Sequence, residues 1–146
     1  MRRVSIYLLV AVCFVVGAAA VVDAAVVTDQ ERMEEFIDSV TGRVSESRID
    51  SALSYADPSK MPIELVHEGR SKRYGDRNAS SLKPDARQAL ATLEGSKLRL
   101  IQESVSVDGE RARIALRLRT EAGLANTVFD LRREDDRWLL RRVIVN

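Results

Sequence analysis

Arg111-Ala112-Arg113-Ile114-Ala115-Leu116-Arg117-Leu118-Arg119 alternates with a period of two. Ala112, Ile114, Leu116 and Leu118 fall on one side, and four arginines fall on the other. This is the pattern of an antiparallel strand with one face in a core and one in water. The same period continues on both flanks. Four strands are expected, at about 97–107, 110–119, 124–133 and 137–145. Asp108-Gly109 is a two-residue hairpin signal, and Glu121-Ala122-Gly123 and Glu134-Asp135-Asp136 supply the next turns. The C-terminal third therefore reads as a four-stranded meander.

Upstream of Lys97 the period changes to that of helices. Thr28-Asp29-Gln30-Glu31 fits a capping box. Met33, Phe36, Ile37, Val40 and Val44 follow at spacings of three and four, which predicts one buried helical stripe. Ser47 to Asp50 opens a second helix with Ile49, Ala52, Leu53 and Ala56 on one face. Asp57-Pro58 stops it, because the residue before proline is pushed out of helical geometry. Ile63 to His67 predicts one short strand. Gly69 to Asn78, with Arg70, Lys72, Arg73 and Arg77, reads as a solvated loop or an anion-binding loop. Pro84 and Asp85 lie in the first turn of a third helix. Its stripe is Ala86, Ala89, Leu90 and Leu93, and Gly95 ends it. The fold class is α+β: N-terminal helices wrapped by a curved antiparallel sheet made of the meander plus a short strand.

The first 24 residues are of another kind. Arg2 and Arg3 precede an uncharged, mostly apolar run from Ile6 to Val22, and small residues cluster around Val22-Asp23-Ala24. These are the three parts of a secretory signal. An uncleaved membrane anchor is the alternative, since Val26 and Val27 extend the run toward the roughly 20 residues that span a bilayer. A buried helix is a third reading. Residues 1–24 are thus expected to be a signal peptide or anchor and 25–146 a single domain, placed outside the cytoplasm in either export case. Cys13 lies at a poor match to a lipid-attachment box. Asn78-Ala79-Ser80 is a glycosylation sequon.

Composition narrows the chemistry. The chain holds 23 basic and 22 acidic residues; without Arg2, Arg3 and Asp23, 21 of each remain. A neutral domain gives no global reason to bind nucleic acid or anionic lipid, so membrane contact is expected only through an uncleaved N-terminal segment. The only cysteine is Cys13 and the only histidine is His67. A zinc site built from several of these ligands is excluded, and no metal or other cofactor is expected.

The element order, together with the ending Phe129-Asp130-Leu131-Arg132-Arg133-Glu134-Asp135-Asp136-Arg137-Trp138-Leu139-Leu140, resembles the nuclear transport factor two-like superfamily over residues 28–146. That resemblance implies a cone-like sheet around a long helix, often with a pocket at the open end. It also implies a range of activities: isomerases, cyclases, hydrolases, dehydratases and exported domains of no known activity. The enzymatic members imply a carboxylate facing a tyrosine and a protonated acid, an Asp-Arg-Asp water clamp, or a His-Asp pair. Pocket-facing candidates here are Tyr55, Asp57, His67, Tyr74, Gln102 and Trp138. His67 beside Asp57 is the best candidate general base. Against these stand blander roles: a half-exposed edge-strand histidine, a helix-end tyrosine, a loop tyrosine, an exposed glutamine and a core tryptophan. The arginines opposite the core invite an anionic partner, unless Asp130 and Glu103 neutralise them across the strands. The leading expectation is an exported, non-catalytic domain that binds a protein partner or a small apolar ligand in the cone. The alternative is a small-molecule isomerase, lyase or hydrolase using His67 or a carboxylate.

Overall fold

In the computed structural model, which describes residues 28–146, the first helical stripe becomes α1 (Asp29–Val40). The expected signal or anchor, with its Val22-Asp23-Ala24 site, lies outside the described residues. The chain divides into two units, Met1–Arg32 and Met33–Asn146. Within the first, the capping box is formed: Glu31 N donates to Thr28 Oγ1 at 3.2 Å, and Thr28 N donates to Glu31 Oε2 at 2.7 Å.

In the second unit, Met33, Phe36 and Ile37 are buried as the spacing requires. Val44 is buried too, but it lies past the end of α1 rather than on it. The helix stops at Gly42, whose φ of +86° is reserved for glycine. Arg48 then covers the exposed helix end: its Nη1 donates to the carbonyls of Asp38 and Thr41. A cation at a helix C-terminus both satisfies orphan carbonyls and opposes the helix dipole. Arg48 is held there by α2 (Glu46–Leu53), which is capped by Ser45, ahead of the expected opening at Ser47. α3 (Leu82–Leu90) runs on into a 3-10 turn at Ala91–Leu93. Its anchor is Leu82. The expected stripe is only half-buried at Ala86, Leu90 and Leu93, and Ala89 is exposed.

Seven strands form one open sheet: β1 (Gly42–Arg43), β2 (Ile63–His67), β3 (Arg70–Tyr74), β4 (Lys97–Asp108), β5 (Arg111–Thr120), β6 (Gly123–Glu134) and β7 (Arg137–Val145). Their order is β1-β4-β5-β6-β7-β2-β3, antiparallel except where β2 runs parallel to β7. The expected meander is present, and irregularities at Leu100/Gln102 and Asp130/Leu131 bend it into a curved sheet. The first turn is shifted by one residue: Asp108 pairs with Arg111, so Gly109 and Glu110 are the central pair. Asp135 and Asp136 both take positive φ, as the tight turn between β6 and β7 demands.

One expected loop is a strand. Arg70 to Tyr74 pairs with β2 around a Glu68-Gly69 turn in which both residues have positive φ. β2 is therefore an interior strand, flanked by β7 and β3, and His67 is not on an edge. The inner sheet face packs on α1. Its core joins Phe36 to Ile114, Leu116, Phe129, Leu131, Trp138 and Leu140. A smaller cluster of Ile63, Tyr74 and Leu82 fastens the β2–β3 hairpin to α3.

Candidate functional site

Aromatic side chains pack among the aliphatic residues of the inner sheet face. Phe36 meets Tyr55 and Phe129 edge-on, each with ring centroids 5.0 Å apart. This geometry suits aromatic pairs and leaves their rings packed against one another. Trp138 is 4% exposed within the same core. Tyr55 is half-buried against it, and burial, aided by the nearby Glu35 carboxylate, raises its hydroxyl pKa. Tyr55 also borders a shallow polar depression with Glu35, Asp38 and Asp50.

The other candidates do not converge. His67 stands at the end of β2 with its side chain 67% exposed, near Glu68 and the Val145 carbonyl. Asp57 instead organises the turn after α2, accepting from the backbone N–H of Lys60 through its side chain and of Met61 through its carbonyl. Tyr74 is a buried strand residue, not a loop aromatic: its hydroxyl donates to Asp85 Oδ2 at 2.6 Å, and Lys72 Nζ reaches the same oxygen at 2.7 Å. Among the described residues no three histidine, cysteine, aspartate or glutamate side chains gather in a way that would hold a metal ion.

The outer face of the sheet carries the unsatisfied chemistry. Because Ala112, Ile114, Leu116 and Leu118 point into the core, Arg111, Arg113, Arg117 and Arg119 point out. The register then assigns each a neighbour. One rung reads Ser106, Arg113, Asp130, Arg142, Glu64 and Arg73 across six strands, with charges alternating from Arg113 onward. Arg113 grips Asp130 with both ends of its fork, at 2.7 and 3.1 Å, which holds the guanidinium above its usual pKa. Arg142 Nε lies 3.2 Å from Glu64 Oε2 but is misaligned for a hydrogen bond, so this contact is an ion pair alone.

The neighbouring rungs are different. Arg111 stands directly opposite Arg132 on β6, and Arg119 stands directly opposite Arg99 on β4. Like charges placed so are destabilising. Arg117 faces Gln102 and Asn126. Glu103, expected to answer these arginines, instead shares the inner face with Leu116, because the extra residue Ile101 reverses the alternation of β4 and turns Gln102 outward. β5 and β6 together place five arginines on the outer face (Arg111, Arg113, Arg117, Arg119 and Arg132) against two carboxylates, Asp130 and the strand-end Glu134, while Asp108 on β4 stands directly opposite Arg111. A groove of about 510 Å³ runs over this face, lined by Arg111, Arg113, Asp130, Arg132, Arg142 and Glu64 among others. Single arginines were legible in the sequence; their pairing was not, since it depends on turn lengths and on the bulge.

No protein-family model and no characterised protein sequence matches the chain significantly. Solved structures do match its fold. A nuclear transport factor two-like protein of unknown function from Pseudomonas putida superposes with a TM-score of 0.59 at 11% identity, covering 80% of this chain and 82% of that one. A de novo designed protein with a curved β-sheet gives 0.60 at 13%, covering 82% and 99%. A protein from Shewanella frigidimarina, provisionally named a ketosteroid isomerase, gives 0.57 at 12%, covering 78% and 90%. The fold is thus nuclear transport factor two-like, and at these identities the likeness concerns fold alone.

Proposed function

We propose that this chain is an exported, non-catalytic binding domain that holds a protein partner on its outer sheet face. The observation that carries the reading is the contrast between the two faces. Inside, Phe36, Tyr55, Phe129 and Trp138 pack with aliphatic residues into the core under β5–β7. Outside, Arg117 and Arg119 stand opposite no carboxylate on either neighbouring strand, and Arg111 stands between Asp108 and another arginine, Arg132. A charged face with surplus arginine favours a macromolecular partner, since arginine is enriched where proteins meet. Export rests on the N-terminal pattern of Arg2-Arg3, the apolar run and the small-residue site. An isomerase, lyase or hydrolase built on His67 draws no support from a histidine this exposed, whose neighbours are Glu68 and the Val145 carbonyl.

The test is site-specific photo-crosslinking in cells that make the full chain. A photoreactive residue replaces Ala115 or Val128, two half-buried positions on the outer face, or Ser51 on α2 as a control. A discrete protein adduct from the sheet positions, absent from the helix position, is expected. No adduct from Ala115 or Val128, or adducts from Ser51 alone, would overturn the reading.

A further inference from the structure

The two like-charge rungs lie on one face of one strand, eight residues apart on β5. Arg111 with Arg132 marks one end, and Arg119 with Arg99 marks the other. At roughly 3.3 Å per residue the two pairs are about 26 Å apart. Between them the charge is partly answered, because Arg113 is already held by Asp130. The face therefore carries an arginine pair at each end, the Arg111–Arg132 pair flanked by Asp108, with the Arg113–Asp130 ion pair and Arg117 between them. Each pair costs the free domain repulsion that a bridging carboxylate would reverse, since a guanidinium donates two parallel hydrogen bonds to a carboxylate.

We infer that the outer face binds an extended acidic segment of a protein partner, whose carboxylates seat in the Arg111–Arg132 and Arg99–Arg119 pairs. This rests on the partner-binding reading above and adds the chemistry and length of what is bound. An extended peptide spans the two pairs with about eight residues. Two features favour a peptide over other polyanions. Of the described aromatics, Phe36, Phe129, Trp138 and Tyr74 are buried and the half-buried Tyr55 packs against Phe36 in the core, so the face offers no platform on which bases stack. Asp108, Asp130 and Glu64 are interleaved with the arginines, and they would oppose a continuous sheet of lipid phosphates.

The test measures fluorescence anisotropy of labelled twelve-residue peptides with the full chain at low salt. One peptide carries glutamate pairs at its positions 2–3 and 10–11 among serine and glycine. A second carries the same four glutamates together at its centre, and a third has glutamine in their place. The spaced peptide is expected to bind at least fivefold more tightly than the clustered one, with no binding by the glutamine peptide. Arg111→Ser with Arg132→Ser, or Arg99→Ser with Arg119→Ser, should each weaken it at least tenfold. The matching lysine pairs, which keep charge but lose the fork, should weaken it less. Because all four arginines are exposed, neither serine pair should lower Tm appreciably, which separates lost binding from lost folding. Equal binding of spaced and clustered peptides, or serine variants that bind like the parent, would overturn the inference. So would tighter binding to a single-stranded DNA twelve-mer or to phosphatidylglycerol vesicles. Should the peptides fail while the Ala115 adduct persists, the acidic class falls and the partner reading stands; a missing adduct removes the partner reading itself.

Discussion

The Tyr74 hydroxyl donates to Asp85 at 2.6 Å, and the Lys72 ammonium reaches the same oxygen, so three side chains fasten β3 to α3. The Lys72 bond, followed by that from Tyr74, holds the Asp85 carboxyl below its usual pKa. Burial, then the bond to Asp85, raises the Tyr74 hydroxyl, and Asp85 raises Lys72. A carboxyl with a depressed folded pKa contributes stability above its unfolded value, about 4, and that contribution is lost as pH falls through the lower folded value. Groups with raised pKa contribute below their unfolded values, about 10, and lose that contribution as pH rises through the folded ones. Asp85→Asn should therefore lower the urea midpoint at pH 7, with the gap to the parent closing below pH of about 4. Tyr74→Phe should soften the alkaline loss. Parallel pH dependence of parent and Asp85→Asn down to acid would show that the cluster is not coupled to folding.

The core prediction concerns Phe36 and Trp138. Phe36 is fully buried between Tyr55 and Phe129, and Trp138 fills the neighbouring space on β7. Phe36→Ala or Trp138→Ala should each cost about 3–5 kcal/mol, from lost transfer energy and the cavity left behind. Arg117→Ala, on the exposed face, should stay within about 0.5 kcal/mol. Chemical denaturation measures all three. A core variant within about 1 kcal/mol of the parent, the size of a typical substitution anywhere in a protein, would contradict the packing described.

The β2–β3 turn is built with a poor residue. Glu68 has φ of +49° and Gly69 +74°, so both central positions are left-handed, yet only glycine takes this without cost. Asparagine tolerates that region, and Asn-Gly is the favoured pair for such a turn. Glu68→Asn should stabilise the domain by about 0.5–1 kcal/mol, since the Glu68 side chain sits exposed beside His67 and anchors nothing buried. An unchanged or lowered denaturation midpoint would mean that the turn is not formed as described.

That same hairpin marks where the sequence stopped being readable. β5 announces itself because every second residue is apolar, and the inner face of β7 is tied to Trp138 and Leu140. β3 is Arg-Ser-Lys-Arg-Tyr, with one apolar anchor and nothing for a period to act on; its pairing partner Ile63 supplies the core contact that makes it a strand. The bulge at Ile101 did leave a trace. Leu98 and Leu100 sit at even positions and Val105 and Val107 at odd ones, so the inward parity of β4 changes between them. Read that way, Gln102 and Glu103 trade faces without any coordinates. The rungs Arg111–Arg132 and Arg99–Arg119 needed more, because each depends on the exact length of a turn and a one-residue slip would replace them.

The export prediction concerns residues that precede the described fold. A positive pair at Arg2-Arg3, an uncharged run to Val22 and the small residues at Ala24 and Ala25 form the pattern expected of a translocation signal. If a signal peptidase cuts after Ala24, mass spectrometry of protein recovered outside the cytoplasm should find an N-terminus at or next to Ala25. If the segment stays as an anchor, the full-length chain should partition with membranes and the domain should be accessible from the outer side only. Replacing Leu9 and Val12 with aspartates should block both outcomes, because a charge near the centre of an inserting helix costs about 2.5–3.5 kcal/mol on insertion scales. The domain itself should still fold in that variant, since the core around Phe36 and Trp138 is drawn from Met33 onward. Soluble, full-length parent protein confined to the cytoplasm would defeat export in its cleaved and anchored forms alike.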